Sequence, residues 1–179
     1  MAVQQEQTIQ KNPMQKAVID KLVISIGTSS DEKKQANAKQ LLATMTGRKP
    51  TDALAKRRIP TFNISKNTKI GTFVTIRGTD GFELIKRLLE AVNNKIKESS
   101  ITNNTVNFGV REYIDIRGVK YDPKIGMLGM NVNIVFNRKG ARVEERRRAR
   151  SRVARYHKRV AREEIAEYLK KEFNVEVEA

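Results

Sequence analysis

The sequence contains no cysteine, no tryptophan and only one histidine among its 179 residues. Without cysteine, a disulfide framework, a zinc-thiolate site and a thiol nucleophile are all excluded. No stretch approaches the roughly 18–20 consecutive apolar residues that a membrane span needs. The N-terminus, Met1 to Lys11, is polar and unlike a signal peptide. These absences predict a soluble, cytoplasmic protein that uses neither a metal nor a cofactor.

Acidic residues are also scarce relative to basic ones. The chain holds 20 Asp and Glu against 36 Lys and Arg, which gives a formal net charge of +16 and a pI near 10.2. Such an excess opposes compaction by self-repulsion unless a polyanion neutralises it, so nucleic acid is the expected partner. An anionic membrane surface is the competing partner. The 39% of apolar residues is enough for one folded domain.

Hydrophobic periodicity predicts an α+β fold. Apolar residues alternate in Val18 to Ile26, Thr72 to Arg77 and Asn131 to Asn137, which is typical of half-buried strands. A helix is predicted to begin at a capping box of Ser29 and Glu32, and a second helix follows Gly78. With short strands between Val106 and Ile116, the order is β-α-β-α-β-β. It predicts a two-layer sandwich, a mostly antiparallel sheet with helices on one face.

Composition divides the chain into three parts. Residues 1–11 are predicted to be a disordered tail, and residues 12–140 a single α+β domain from which a basic loop, residues 55–70, protrudes. Residues 141–179 are predicted to form a basic helical extension, because residues 142–173 contain neither Pro nor Gly. The far end of this helix is apolar enough to dock on the core.

The C-terminal arginine run is the strongest functional signal. Residues 138–162 hold 12 Lys and Arg against two Glu. Clustered cations bind phosphates with salt-dependent affinity, and guanidinium groups fit phosphate geometry. A merely solvated charged face is the alternative, although such faces usually mix signs. The predicted phosphate contacts are Arg138, Arg142, Arg146, Arg147, Arg148, Arg150, Arg152, Arg155, Lys158 and Arg159.

The basic loop and the sheet are two further candidates. The loop from Lys56 to Lys69 has five Lys or Arg and no acid, and Phe62 offers a ring for stacking on a base. A flexible solvent loop and a core position for Phe62 remain open. The sheet face opposite the core is predicted to carry neutral hydrogen-bonding groups, which suit the minor groove of an RNA helix. An ordinary polar outer face explains the same pattern. The predicted members of this sheet face are Val23, Ser25, Asn131, Asn133 and Asn137, with Thr75 and Arg77.

Residue constellations for catalysis are missing from the sequence. The single histidine, His157, lies within the arginine run, and the Glu144–Glu145 and Glu163–Glu164 pairs lie in basic surroundings. The segment from Gly126 to Gly129 lacks the Lys-Ser/Thr that a phosphate-binding loop requires. The chain is therefore predicted not to be an enzyme.

Several motifs occur in the order of a known family. They are NPM at residues 12–14, KLVISIG, TGRKP at 46–50, AKRRIPTFNISKNTKIG, VTIRG at 74–78 and NFGVREYIDI at 107–116. This series resembles the family of the universal fifth protein of the large ribosomal subunit, which binds 5S rRNA. The stretch at residues 120–143 resembles its archaeal and eukaryotic branch, and an archaeal source that lives hot would fit the composition.

The resemblance implies a place in the central protuberance of the large subunit, with other proteins of that region as neighbours. It implies 5S rRNA contacts at Asn12, Met14, Ser25, Gly47, Arg48, Pro50, Thr75 and Arg77. It implies contact of the basic loop with transfer RNA in the peptidyl site, through Lys56, Arg57, Arg58, Phe62, Lys66 and Lys69. It also implies an intersubunit bridge to a protein of the small-subunit head, at Tyr121, Asp122, Lys124 and Met127.

Two positions depart from the family pattern, which commonly has Asn at Ser25 and Gln at Arg48. The shorter Ser25 and the cationic Arg48 shift the expected contacts toward phosphate. We further expect the arginine run to contact large-subunit rRNA. Three other classes of protein are weaker alternatives. A DNA-binding regulator would need base-reading Asn or Gln in its helix, and a membrane-surface protein would need more bulky apolar residues. A nuclease would need clustered acidic residues to hold a metal.

Overall fold

A computed structural model of the chain describes residues 12–29 and 31–178. The tail predicted at residues 1–11 lies outside the described residues. The helices are α1 (Glu32–Thr46), α2 (Thr79–Ala91), α3 (Arg142–Glu145), α4 (Arg155–Lys158) and α5 (Arg162–Phe173). The strands are β1 (Ala17–Gly27), β2 (Thr51–Leu54), β3 (Lys69–Ile76), β4 (Lys95–Lys97), β5 (Ile101–Thr102), β6 (Thr105–Val110), β7 (Met130–Arg138) and β8 (Glu176–Glu178).

A six-stranded sheet with the order β2-β3-β1-β7-β6-β5 forms the framework, and all of its pairs are antiparallel. The central strand β1 pairs with β3 on one side, where Leu22 faces Ile76, and with β7 on the other, where Leu22 faces Ile134. A short parallel pair, β4 with β8, forms a second sheet. The predicted α+β class, with a mostly antiparallel sheet, helices and a C-terminal helix, is confirmed.

Alternation along the central strands determines which face is buried. Leu22 and Ile24 of β1, with Ile134 and Phe136 of β7, are fully buried, because a period of two places them on the same side of the pleat. The apolar stripe of α2, which includes Ile85, Leu88 and Leu89, is also buried in this core. The buried side chains of these strands are therefore those at the alternating apolar positions of the sequence.

The beginning of α1 differs from the sequence prediction, whereas its end is formed by a glycine. Gly47 ends α1 with a φ of 63°, and its N–H donates to the Ala43 carbonyl, which is the usual arrangement of a glycine at the end of a helix. Asp31, and not Ser29, is the N-cap residue of this helix. The capping box predicted for Ser29 is thus wrong, because Ser29 adopts a left-handed conformation with φ 54° before the helix begins.

The C-terminal helix is present but shorter than the range predicted at residues 142–173. Two single-turn helices, α3 and α4, precede α5, and a non-helical segment with a bend at residues 147–149 separates α3 from α4. Neighbouring like charges at helical spacing oppose helix formation, and the arginines of residues 146–152 lie in this non-helical segment. Ile165, Leu169 and Phe173 of α5 join the main core, as the sequence predicts.

Short elements account for the remaining differences. Residues 51–54 form the edge strand β2, which hydrophobic periodicity did not indicate. The alternation of Phe62 and Ile64 in the sequence is typical of a short strand, but Pro60–Phe62 form a 3-10 turn, and Ile59 and Ile64 form an isolated bridge. Among the described helices, none is both long enough and apolar enough to cross a membrane.

Candidate nucleic-acid interface

Polar side chains form rows across the sheet face opposite the core. Ser25 lies between Phe73 of β3 and Asn131 of β7, because it is in register with both. In the next row, Thr75, Val23, Asn133 and Asn107 are consecutive partners from β3 to β6. Five of the seven predicted members of this face, Val23, Ser25, Thr75, Asn131 and Asn133, are therefore neighbours in space. They offer hydroxyl and amide groups of the kind that bind ribose hydroxyls and base edges.

The predicted basic loop is a hairpin with a defined tip. Its base is fixed by backbone hydrogen bonds in which Ala55 N–H donates to Thr68 and Asn67 N–H donates to Ala55, at 2.9 Å each. The tip is the 3-10 turn Pro60–Phe62, which the Ile59–Ile64 bridge closes. Phe62 is 67% exposed, so the ring does not belong to the core. All six predicted tRNA-contacting residues are exposed: Lys56, Arg57, Arg58, Phe62, Lys66 and Lys69.

The arginine run divides into internally bonded and solvent-facing side chains. Lys158 forms an ion pair with Glu144, and Arg146 donates to the Ala149 carbonyl at 2.5 and 2.8 Å. Apart from Arg138, the remaining predicted phosphate contacts of the run are exposed and make no ion pair within the part of the chain that the structure describes. They are Arg142, Arg147, Arg148, Arg150, Arg152, Arg155 and Arg159.

Arg138 is the exception in this set, because its side chain is only 16% exposed and links three parts of the chain. Its guanidinium donates to the Gln15 carbonyl at 2.6 Å, the Arg159 carbonyl at 2.9 Å and the Glu164 carboxylate at 2.9 Å. The structure thus gives Arg138 an internal role that competes with the predicted phosphate contact. Its partners are distant in sequence, and two are backbone carbonyls, so periodicity and composition carry no signal for it.

A cleft joins the sheet to the arginine run. Arg77, which follows β3, lines a cavity of about 590 Å³ together with Arg142, Arg146 and Arg147. We call this cavity the junction cleft; Asp20, Asn137 and Glu145 complete its lining. Asp20 lies between Ile19 and Lys21, where the register of β1 against β7 shifts by one residue. Such a bulge redirects a side chain that regular pairing would hold in the alternating pattern.

The N-terminal members of the predicted 5S rRNA set lie near the end of β7. The Asn12 side chain accepts a hydrogen bond from Met14 N–H at 3.1 Å and caps the 3-10 turn Pro13–Gln15. Met14 is 52% exposed, and Gly140 lies against its methyl group. This N-terminal turn is therefore on the same side of the molecule as the start of the arginine run, to which Arg138 ties it.

Gly47, Arg48 and Pro50 lie on the turn between α1 and β2. The Arg48 guanidinium forms an ion pair of 2.9 Å with Asp80 at the start of α2. The hydrogen bond from Arg48 lowers the pKa of the Asp80 carboxyl below its ordinary value. Because both side chains are well exposed, a phosphate could take the place of the Asp80 carboxylate at Arg48.

The predicted bridge residues lie on the loop between Arg117 and Gly129. The Tyr121 ring stacks on the buried Tyr113 ring at 6.5 Å between centroids, and the Tyr113 hydroxyl accepts from Asp122 N–H. From α1, the Asn37 amide donates to the carbonyls of Lys124 and Ile125 at 2.9 and 3.2 Å. Tyr121 and Met127 remain 52% and 57% exposed on this fixed loop.

Acidic residues next to the basic surface are held in the charged form. A hydrogen bond from Lys39 lowers the pKa of Asp52, with Lys69 adding to the effect, and these contacts tie α1, β2 and β3 together. Lys158 likewise lowers the pKa of Glu144. These pairs balance part of the basic charge locally and leave the cations beside the hairpin tip, Lys56, Arg57, Arg58 and Lys66, and the exposed arginines of the run for a partner.

Asn104 is a positioning residue that the sequence did not indicate. Its side-chain amide donates to the carbonyls of Lys158 and Phe136, at 2.8 and 3.3 Å, and its oxygen accepts from Val160 N–H at 3.2 Å. The residue has a φ of 66° in the turn between β5 and β6, a conformation that Asn tolerates. Asn104 thereby fixes the segment after α4 against the sheet.

An open polar sheet face, a basic hairpin and an arginine run on one α+β fold are together the features of an RNA-binding protein. The family model that describes the C-terminus of the ribosomal L5 family matches residues 69–171. The large ribosomal subunit protein uL5 of Sulfurisphaera tokodaii is 40% identical over 93% of this chain and 94% of its own. The chain therefore belongs to the uL5 family of ribosomal proteins, as its motifs indicated.

Other archaeal relatives agree. The uL5 proteins of Nanoarchaeum equitans and Thermoplasma acidophilum are 39% and 40% identical over 93% of this chain, and the matches cover 99% and 98% of their own length. The chain is accordingly a structural component of the large ribosomal subunit, with ribosomal RNA as its partner and the cytoplasmic ribosome as its place of action. Its relatives are structural proteins and not enzymes, which confirms the prediction on catalysis.

Proposed function

We propose that the chain binds 5S rRNA through the open sheet face, in the central protuberance of the large subunit. The observation that carries this proposal is the row of Thr75, Val23, Asn133 and Asn107, in which the amides of Asn133 and Asn107 are adjacent and Val23 separates them from the Thr75 hydroxyl. Phosphate contacts position an RNA, and neutral groups read its shape, so a polar face bordered by cations supplies both functions.

The proposal is tested by a competition titration with an archaeal 5S rRNA, transfer RNA and duplex DNA of equal length, at two salt concentrations. Asn133→Asp places one negative charge on the open face without changing side-chain size, and we expect it to weaken 5S rRNA binding about tenfold. Gln40→Glu makes the same chemical change on the exposed side of α1 and serves as the matched control. Equal losses in both variants would contradict binding through the sheet.

The basic hairpin contacts transfer RNA in the peptidyl site under this proposal. The support is the exposed Phe62 ring at a tip that backbone hydrogen bonds hold in shape. An aromatic ring among cations can stack on a base or sugar while the cations bind phosphates. Ribosomes carrying Phe62→Ala should release peptidyl-site tRNA faster than wild type. Phe62→Leu keeps an apolar side chain but loses the ring, and equal release from wild type and both variants would refute the contact.

The loop between Arg117 and Gly129 forms an intersubunit bridge to a small-subunit head protein under the same proposal. Two exposed apolar side chains, Tyr121 and Met127, stand on a loop that Asn37 and Tyr113 immobilise. Tyr121→Ala should raise the magnesium concentration needed for subunit association. Tyr156→Ala, which removes an exposed tyrosine from the arginine run, is the control that should leave it unchanged.

A further inference from the structure

We infer that the junction cleft holds one phosphate of the RNA strand that lies on the sheet, so that the arginine run and the sheet bind the same 5S rRNA molecule. This inference rests on the proposed function and adds to it the RNA that the run contacts. It also assigns the phosphate to a shared site of Arg77 and Arg147 in place of two separate contacts.

The first support is convergence. Arg77 comes from the end of β3, and Arg142, Arg146 and Arg147 come from the segment after β7, yet all four line one cavity. The volume of about 590 Å³ falls within the range of about 300–1,000 Å³ that is usual for sites of ligand size. A cavity that collects guanidinium groups from distant segments is a better phosphate site than a flat surface, because several forked donors can reach one group.

The second support is the state of the guanidinium groups. Within residues 12–29 and 31–178, neither Arg77, Arg142 nor Arg147 makes an ion pair, whereas Arg48 and Arg138 do. Four arginines face two carboxylates in the cleft, so its lining has an excess of positive charge. Unpaired guanidinium groups in a concave, cationic site bind an anion without first breaking an internal salt bridge.

The third support is the position of the cleft along the sheet. Thr75 and Arg77 are two residues apart on β3 and its extension, which corresponds to about 7 Å along a strand. Asn137, near the end of β7, also lines the cleft. A strand of RNA bound to the polar rows therefore reaches the cleft without leaving the protein surface. The arginine run continues the sheet surface and is not a separate site.

A double-mutant cycle on 5S rRNA binding tests the shared phosphate. Arg77→Gln and Arg147→Gln should each weaken binding about tenfold. The double variant should weaken it by much less than the product, because both changes remove the same contact. The slope of log affinity against log salt concentration should fall by about 0.7–0.9, the contribution of one phosphate contact, in the double variant and in each single variant. Arg148→Gln lies outside the cleft lining, so its combination with Arg77→Gln should be multiplicative.

Asp20 gives a test of opposite sign. Its carboxylate lines the cleft and opposes an anion there, so Asp20→Asn should tighten 5S rRNA binding a few-fold. Weaker binding by this variant, or multiplicative losses for Arg77 and Arg147, would overturn the shared site while the proposed function stands. A wild-type protein that binds 5S rRNA no better than tRNA or DNA would overturn the proposed function itself, and this inference with it.

Discussion

Replacement of Arg138 by alanine should destabilise the folded protein without removing a contact to RNA. The guanidinium makes hydrogen bonds to two backbone carbonyls, those of Gln15 and Arg159, and an ion pair with Glu164. A hydrogen bond from a charged group contributes about 1.5 kcal/mol, and a partly exposed ion pair adds up to about 1 kcal/mol. We therefore expect Arg138→Ala to lower the free energy of unfolding by about 3–4 kcal/mol.

Urea and thermal unfolding followed by circular dichroism measure this loss. For a chain of this size each kcal/mol shifts Tm by about 2–4 °C, so Tm should fall by about 6–16 °C. Arg138→Lys keeps the charge, but one ammonium cannot serve three acceptors in different directions, so it should recover less than half of the loss. The control Arg148→Ala, an exposed arginine, should stay within about 0.5 kcal/mol of wild type.

RNA binding separates the two roles of Arg138. Below its Tm, Arg138→Ala should keep the wild-type salt slope of 5S rRNA binding if the side chain touches no phosphate. Unchanged stability together with a slope reduced by about 0.7–0.9 would refute the reasoning, and would identify Arg138 as a phosphate contact.

Three further outcomes are expected. Asn104→Ala should lower the free energy of unfolding by about 2 kcal/mol, because three hydrogen bonds are lost. It should also speed hydrogen exchange at Val160 N–H, as measured by NMR. Ile134→Ala should cost about 2–5 kcal/mol because it leaves a cavity at a fully buried position, which a lower urea midpoint at constant m would show. The stabilisation from Glu144 is present above its unfolded pKa and is lost as pH falls through the lower folded value, because Lys158 favours the carboxylate. Glu144→Gln should flatten the pH dependence of stability below about pH 4, and an unchanged curve would exclude a contribution from the pair.

The central fold could be predicted because its strands are long and buried on one side. Eleven residues of β1 and nine of β7 give enough alternation to define both the strand and its buried face. Edge strands such as β2 and β8, with four and three residues, contain too few alternations to stand out from a loop. Helix propensity overestimated the C-terminal helix, because propensity ignores repulsion between neighbouring arginines.

The candidate site was predictable where charge alone marks it. The arginine run and the basic hairpin stand out in composition, and the hairpin tip is exposed as the prediction requires. Composition could not show which cations bind partners within the protein, as Arg138 and Lys158 do. Composition could not predict the junction cleft either. The bulge at Asp20 and the position of Arg77 and Arg147 on one cavity arise only from tertiary structure.

The pairing of β1 with β7 determines when this protein can fold. Ile19 pairs with Phe136, more than a hundred positions later in the chain, so the middle of the sheet cannot close until most of the sequence has been synthesised. Contacts of such long sequence separation make folding slow, because loop closure must precede the gain from pairing. During that interval a highly basic chain lacks its core and can bind RNA without selectivity. Delayed closure of the sheet should therefore make refolding of the chain sensitive to free RNA, which can bind the basic residues before the core has formed.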